Sequence, residues 1–240
     1  MKLFFKTILI IFSIAILSGC LYPSDNLQKN RVPYESQLDL VQSAIDRYQE
    51  NTGGLLPIKQ RDFTTPIYRK YPVDFTKLIP NYLQEPPGNS FENGGIYQYV
   101  LVNVDTKPEV KLIDLVSVTT VQSVKMRLDA YKLEYGYPPF EGAINKQVFT
   151  INYDALGFKT PPYVVSPFTQ NNLPIVVNSE GQLIIDYRQD LYQKIQQLGS
   201  IPYQMGEDIR NILVEDSVFV PVFSEPYTID EKNEPIFLIK

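Results

Sequence analysis

Cys20 is the only thiol in a chain of 240 residues that contains no histidine and no tryptophan. A single cysteine excludes an intramolecular disulfide. The lack of histidine excludes Ser-His-Asp and Cys-His nucleophiles, histidine general bases and histidine-bearing metal sites. The chemistry left to this chain is reaction at the Cys20 thiol, or the use of paired carboxylates, Ser-Lys pairs or all-oxygen metal sites.

The residues before Cys20 have the pattern of an export signal. Lys2 and Lys6 give a basic start, and residues 7–17 form an uncharged, mostly apolar run that is too short to cross a bilayer as a permanent helix. The alternative is an ordinary signal peptide or membrane helix with a stray cysteine. A polar stretch at residues 23–26 follows at once, which disfavours a spanning helix.

Leu17-Ser18-Gly19-Cys20 resembles the bacterial lipoprotein signal, and all four positions of that motif fit. The resemblance implies a thioether-linked diacylglyceryl group on Cys20, cleavage between Gly19 and Cys20, and a further acyl chain, such as palmitate, on the new amino terminus. One acyl chain binds a membrane only marginally, so two or three are needed for a lasting anchor. We therefore expect a protein that is lipid-anchored at the extracytoplasmic face of the cell membrane.

The sequence predicts a signal peptide at residues 1–19 and a lipidated cysteine with a polar tether at residues 20–35. Removing the signal removes two lysines, which takes the formal charge from −5 to −7. An acidic body disfavours binding to nucleic acid or to anionic lipid headgroups by charge. A local basic patch remains compatible with this balance.

The globular part contains a repeated helical pattern. Ser36 offers an N-cap, and a run with apolar residues at helical spacing follows and ends at Gly53. The pattern returns 83 residues later, where Asp129 and Gly136 match Asp46 and Gly53. The apolar positions that match are Leu38 with Val121, Val41 with Val124, Ile45 with Leu128, and Tyr48 with Tyr131. Two shared non-apolar positions favour an internal duplication over a coincidence between amphipathic helices.

Each predicted helix is followed by a predicted β-hairpin. The first hairpin joins residues 96–102 to 110–115, and the second joins 174–177 to 183–187. A shortened third copy is predicted from the helix before Gly199, the segment Val218 to Phe223, and a final pair at 227–229 and 236–239. The expected fold is α+β, with tandem units at residues 36–115 and 116–240, the second including the partial repeat. Residues 116–120 are expected to be a short, rigid join between the units.

Two further resemblances bear on the body. The segment from Leu128 to Pro138 resembles the helix exit in the globular heads of type II secretion pseudopilins, which implies a shared local fold. The long apolar helix of pseudopilins is replaced here by the lipoprotein signal and tether, so filament assembly is not expected. The chain as a whole resembles an uncharacterised family of Firmicutes membrane lipoproteins. Some members of that family are labelled putative binding proteins of ABC transporters.

Three groups of side chains are candidates for a site. Glu134 and Glu141 flank aromatic residues and could form a carboxylate pair for glycoside hydrolysis, or lie separately in solvent. The acidic residues of the first connection are too scattered for a cation loop: Asp62, Asp74, Glu85 and Glu92. The tyrosines and prolines there favour capping of the core over an exposed recognition loop: Tyr68, Tyr71, Tyr82, Pro66, Pro72 and Pro80.

The sequence thus predicts a lipid-anchored binding or scaffold module with no evident catalytic role, no cofactor and no metal. Its expected partners are membrane lipid, through acylated Cys20, and a protein at the outer face of the membrane. A small-molecule ligand stays open, and nucleic acid is not expected. One alternative is a solute-binding lipoprotein of an ABC importer, although the βαβ alternation of most such receptors is missing. Another is an envelope hydrolase that uses Glu134 and Glu141.

Overall fold

A computed structural model describes residues 34–198 and 202–238 of the chain. The fold is α+β, with helices and antiparallel hairpins, as the sequence predicts. Its helices are α1 (Tyr34–Thr52), α2 (Ile67–Lys70), α3 (Phe75–Leu78), α4 (Leu115–Tyr135), α5 (Arg188–Leu198) and α6 (Asn211–Glu215). Its strands are β1 (Tyr97–Val102), β2 (Glu109–Asp114), β3 (Phe140–Ala143), β4 (Val148–Ile151), β5 (Tyr163–Val165), β6 (Asn172–Asn178), β7 (Leu183–Ile185), β8 (Tyr227–Ile229) and β9 (Pro235–Phe237).

Helix α1 confirms the first predicted helix, but it begins at Tyr34, so Ser36 lies within its first turn and is not the predicted N-cap. Leu38, Val41 and Ile45 recur every three to four residues and are buried, because that spacing places them on one face of the helix. The helix ends where Gly53 adopts a φ of 71°, a left-handed conformation that favours glycine.

The hairpin β1–β2 confirms the first predicted hairpin and contributes to both core clusters of the body. Tyr97 pairs with Asp114 at its open end, and Val102 pairs with Glu109 beside the turn at residues 103–108. Tyr99 and Leu101 pack in the cluster that contains α1, whereas Val100 and its neighbours on the other face pack in the larger cluster. Strand β1 is buried on both faces, so it joins the two cores.

The long first connection adds a short third strand to this hairpin. The Val73 N–H donates to the Tyr99 carbonyl at 2.9 Å, and the Leu101 N–H donates to the Tyr71 carbonyl at 2.9 Å. Residues 57–59 in turn pair with residues 72–74. Residues 60–70 therefore form an excursion between two paired segments.

Strand β2 is covered on its other edge by a segment from far along the chain. The Leu112 N–H donates to the Val218 carbonyl at 2.8 Å, and the Val220 N–H donates to the Leu112 carbonyl at 3.1 Å. The Lys111 ammonium also reaches across and donates to the carbonyls of Val214 and Ser217. The segment predicted to belong to the third copy thus forms a single parallel bridge to β2.

Helix α4 begins directly after β2. The Asp114 carboxylate accepts hydrogen bonds from the N–H groups of Val116 and Ser117, which is the geometry of an N-cap. Residues 116–120 are not the expected separate join but the first turns of α4, which follows β2 without a linker. The helix ends at Gly136, whose φ is 83°.

The second half of the chain is built on β6. Strand β7 pairs with β6 as predicted, while β4 and β5 pair with other parts of β6, and β3 extends the sheet from β4. Strands β3, β4 and β5 were not predicted, since each spans only three or four residues and none shows a regular alternation of apolar and polar residue types. All four residues of β3, for example, are exposed.

The last elements follow the prediction in outline. Helix α5 buries Leu191 and Ile195, and β8 pairs with β9 in a final antiparallel hairpin. Strand β9 begins at Pro235, one residue earlier than predicted. Helix α6 was not predicted.

The structure adds a detail to the repeat. Asp114 follows the buried Ile113 at the end of one hairpin, and Asp186 follows the buried Ile185 at the end of the next. The Asp186 carboxylate accepts a hydrogen bond from the Arg188 N–H at the start of α5, as Asp114 does at the start of α4. The same hairpin-to-helix junction therefore occurs twice.

Candidate functional site

Asn178, at the end of β6, lies beside a cavity and has polar partners on both sides of its carboxamide. Its Oδ1 accepts hydrogen bonds from the N–H groups of Glu180 and Gln182, which fixes the β6–β7 turn. Its Nδ2 donates to Glu225 Oε1 at 3.1 Å, across 47 residues of sequence. This contact holds the Glu225 carboxylate beside the turn.

A second turn is joined to the first. Asn145 Oδ1 accepts hydrogen bonds from the N–H groups of Gln147 and Val148, which closes the turn between β3 and β4. The Ser179 N–H donates to the Gln147 carbonyl at 2.8 Å. This hydrogen bond holds the two turns together, so they form one side of a cavity.

These turns and the hairpin β8–β9 enclose a cavity of about 310 Å³. Its volume is at the lower end of the range of small-molecule sites. The lining residues are Asn145, Gln147, Val148, Asn178, Ser179, Glu180, Gln182, Glu225, Pro226, Phe237 and Leu238. We call this space the amide cavity, because four of its side chains are carboxamides.

The chemistry of the amide cavity follows from that lining. Carboxamides both donate and accept hydrogen bonds, and Phe237 adds an aromatic surface. Glu180 and Glu225 are negative, and neither lysine nor arginine is among the lining residues. The lining suits a neutral or cationic ligand that is rich in hydroxyl or amide groups, and it disfavours an anion.

A shallower cavity of about 480 Å³ lies beside the start of α5. It contains the ion pair of Arg188 with Asp186, in which Nε and Nη2 donate to the two carboxylate oxygens. This hydrogen bonding raises the pKa of the Arg188 guanidinium, which also stacks over the Phe237 ring at 5.1 Å. Because the two charges satisfy each other, they offer less to a ligand than the amide cavity does.

A buried carboxylate, Asp190, lies elsewhere in the same half of the chain. It accepts hydrogen bonds from the hydroxyls of Ser166 and Thr169, and burial raises its pKa. Asp190 is fully buried, and the Ser166 hydroxyl also accepts from the N–H groups of the following turn. These contacts are internal and give Asp190 a structural role.

The carboxylates considered for hydrolysis lie at the surface. Glu134 is exposed in the last turn of α4, and Glu141 is exposed in β3. Neither lines the amide cavity or the shallower cavity. The geometry therefore gives this pair no enclosed pocket of the kind in which a general acid acts.

The acidic residues of the first connection have local roles. Asp62 and Asp74 each accept hydrogen bonds from the threonine two residues on, and Glu92 pairs with Lys59 at 2.8 Å. Glu85 is exposed. Within the described ranges, no group of three or more acidic, histidine or cysteine side chains is placed to hold a metal ion.

The tyrosines of that connection pack against the body rather than standing free. Tyr68 lies under the Arg210 guanidinium, and burial raises its pKa to about 12. Tyr71 is half-buried, and Tyr82 meets Tyr48 edge to face. The interpretation as core capping is confirmed for these three residues. Of the prolines, Pro72 is buried, while Pro66 and Pro80 are exposed.

Sequence reasoning missed two features. The amide cavity left no local signal, since Asn178 and Glu225 meet only in the folded chain. The excursion at residues 60–70 did leave one, because basic residues cluster there in an otherwise acidic body.

The lipidation site Cys20 and the cleavage position Gly19 lie outside the described residues, so the anchor stays a prediction. In the described ranges, no helix combines the length and apolar character that a membrane crossing requires.

Comparison with known proteins gives one similarity. A sequence model of the YphF family N-terminal domain matches residues 34–114, about a third of the chain. The match runs from the first residue of α1 to the last residue of β2. The curated proteins and the solved structures that were compared gave no match.

Proposed function

We propose that this chain is a lipid-anchored extracytoplasmic lipoprotein whose body is a binding or scaffold module. The observation that carries the proposal is the motif Leu17 to Cys20. It follows an export-signal pattern and precedes a short polar segment that leads into a folded body at Tyr34. The membership in a family of Firmicutes membrane lipoproteins, suggested by resemblance, belongs to the same proposal.

Metabolic labelling with a fatty acid tests the anchor. The wild-type chain should take up label and be shortened by the signal, whereas Cys20→Ala should take up none and keep the signal. A double variant, Cys20→Ala with Ser24→Cys, is the matched control because it keeps one thiol but moves it out of the motif. Equal labelling of all three chains would refute a specific anchor.

We propose the amide cavity as the binding site of the module. Its hydrogen-bonding amides, its two carboxylates and the Phe237 ring fit a sugar-like or peptide-like ligand better than an anion. Thermal unfolding of the protein, scanned against sugars, peptides, amino acids and metal ions, tests this assignment. A ligand that stabilises the wild-type chain should lose its effect in Glu225→Gln. Glu231→Gln, which changes an exposed glutamate in the β8–β9 turn, should retain it.

The same cavity favours a second candidate, a solute receptor that delivers its ligand to an ABC importer. An in-cell cross-link of the anchored protein, followed by identification of the attached proteins, separates the two. Recovery of a permease with its ATPase supports the receptor. Recovery of envelope-assembly or secretion proteins without a transporter supports the scaffold.

A further inference from the structure

The excursion between the paired segments 57–59 and 72–74 carries the most exposed aromatic ring of the described chain. Phe63 is 84% exposed and Ile67 is 55% exposed, although both are large apolar side chains. Asp62 holds the turn between them, since its carboxylate accepts hydrogen bonds from the N–H and hydroxyl of Thr64. The turn therefore presents apolar side chains to solvent in a fixed local conformation.

The same excursion is basic within an acidic body. Residues 59–70 contain four basic residues and one acidic residue, Asp62. Lys59 is neutralised by Glu92, but none of the other three basic residues has a carboxylate within ion-pair distance in the described ranges: Arg61, Arg69 and Lys70.

Arg69 is the most constrained of these cations. Its guanidinium lies 4.5 Å from the centre of the Phe223 ring, and its buried Nε has no hydrogen-bond partner. Burial, together with the nearby charge of Arg61, lowers the pKa of Arg69. Positive charge without a carboxylate partner therefore lies close in the chain to the exposed Phe63 and Ile67, and such a charge attracts an anion.

The excursion lies at the end of the body where the chain enters. Residues 71–73 run antiparallel to β1, with Tyr71 opposite Leu101 and Val73 opposite Tyr99. The residues before Tyr71 therefore lie near the turn at residues 103–108, where β1 ends. Gln42 of α1 bonds the Pro108 carbonyl and the Val110 N–H beside that same turn. The second half of α1 contacts Tyr82, on the chain that leads away from that turn. Helix α1 therefore begins at the end of the body that carries the excursion.

The tether limits how far this end can lie from a membrane. Fourteen residue steps separate Cys20 from Tyr34, and a fully extended chain of that length reaches at most about 50 Å. An acylated Cys20 would therefore hold Tyr34 within about 50 Å of the headgroups.

We propose that residues 60–70 dock on the anionic membrane surface, with Phe63 and Ile67 entering the headgroup region and the exposed Arg61 contacting lipid phosphates, while the charges of Arg69 and Lys70 add to the attraction. This inference rests on the proposed lipid anchor, because the tether supplies the proximity. Apolar side chains flanked by cations are a common arrangement for interfacial binding. Docking would fix the orientation of the body, and therefore of the amide cavity, relative to the membrane.

The lack of native tryptophan provides a direct test. Phe63→Trp places a single fluorescent reporter at the tip of the excursion in the full chain. Phe91→Trp is the control, because Phe91 is also well exposed (63%) but follows Ser90, which pairs with Tyr97 at the opposite end of the β1–β2 hairpin. Both proteins are mixed with phosphatidylcholine vesicles that contain or lack phosphatidylglycerol and that carry brominated acyl chains as quenchers.

We expect blue-shifted, quenched emission from Phe63→Trp in the anionic vesicles and no such change from Phe91→Trp. Each basic residue near an anionic surface strengthens association about fivefold. Adding Arg61→Gln should therefore lower the ratio of docked to undocked reporter about fivefold, whereas Lys146→Gln, an exposed lysine in the β3–β4 turn, should leave it unchanged. Raised salt should also weaken docking, because it screens these charges.

Unquenched emission from Phe63→Trp in anionic vesicles, or equal quenching of both reporters, would overturn the docking proposal. Fatty-acid labelling of the same samples tests the anchor separately. Labelled protein without quenching refutes docking alone, and quenching without label refutes the anchor alone.

Discussion

Replacing Tyr227 by phenylalanine isolates the contribution of one buried hydroxyl. This hydroxyl accepts a hydrogen bond from the Tyr187 N–H at 2.9 Å and donates one to the Ile185 carbonyl at 3.1 Å. Tyr227 is fully buried and packs against Phe237 with ring centres 4.8 Å apart. The substitution keeps the ring and its packing, so it removes the two hydrogen bonds with little change in volume.

The expected cost follows from the two groups left without a partner. A buried donor or acceptor that loses its partner costs about 1–3 kcal/mol. Two backbone groups lose their partner here, but the cost is offset in part because the Tyr227 hydroxyl no longer has to be desolvated on folding. We therefore expect a loss of about 2–4 kcal/mol in the free energy of unfolding. That is a large fraction of the stability of a typical domain.

Tyr187→Phe is the matched control. Tyr187 is equally buried, but its hydroxyl serves a single backbone group, the Val222 carbonyl at 3.0 Å. We expect this variant to lose about 1–2 kcal/mol. Urea unfolding followed by circular dichroism gives both values from the shift in midpoint at an unchanged slope. If Tyr227→Phe loses no more than Tyr187→Phe, the assignment of two obligatory hydrogen bonds to Tyr227 is wrong.

Three further predictions use the same unfolding assay or a related one. Asp114→Ala removes the N-cap of α4 and should cost about 1 kcal/mol; an unchanged urea midpoint would contradict that role. Lys111→Met removes two hydrogen bonds from a charged donor to the C-terminal segment, so amide exchange in residues 211–220 should accelerate while that of α1 stays slow. Burial raises the pKa of five tyrosines well above the unfolded value near 10, so the folded chain resists their ionisation. Below pH 10 these tyrosines are protonated in both states, so the free energy of unfolding keeps its full value. Above pH 10 they ionise first in the unfolded chain, so the free energy of unfolding should fall by about 1.4 kcal/mol per pH unit for each protected tyrosine. The phenolate absorbance of these five tyrosines should therefore appear together with the loss of circular dichroism. Ionisation of more than 12 of the 17 tyrosines before the circular dichroism is lost would contradict the burial of Tyr68, Tyr99, Tyr153, Tyr187 and Tyr227.

The elements with a strong local pattern could be predicted from the sequence. The spacing of Leu38, Val41 and Ile45 specifies α1, and Gly53 ends it, because both effects depend on residues within a few turns. The hairpins β1–β2 and β6–β7 were predictable in the same way, from short apolar runs around polar turns. Strand β3 was not, since its residues are exposed and its pairing with β4 carries no signal in the sequence around it.

The candidate sites also differ in whether a local sequence pattern reveals them. The Cys20 motif is a contiguous sequence signal, so it predicts a compartment and an anchor without any tertiary structure. The amide cavity depends on the contact between Asn178 and Glu225. The proposed docking of residues 60–70 depends on the strand register that directs them to the end where Tyr34 lies.

The sequence by itself determined the excluded chemistry, the expected anchor and the elements with a strong local pattern, such as α1 and the hairpins β1–β2 and β6–β7. Composition and short-range periodicity are enough for these, because they act within a few residues. Tertiary structure alone decided that Val218 and Val220 complete the edge of β2 and that Phe63 stays outside. The physical reason is that unpaired strand edges and buried polar groups must find partners wherever the folded chain provides them, and those partners lie far away in sequence.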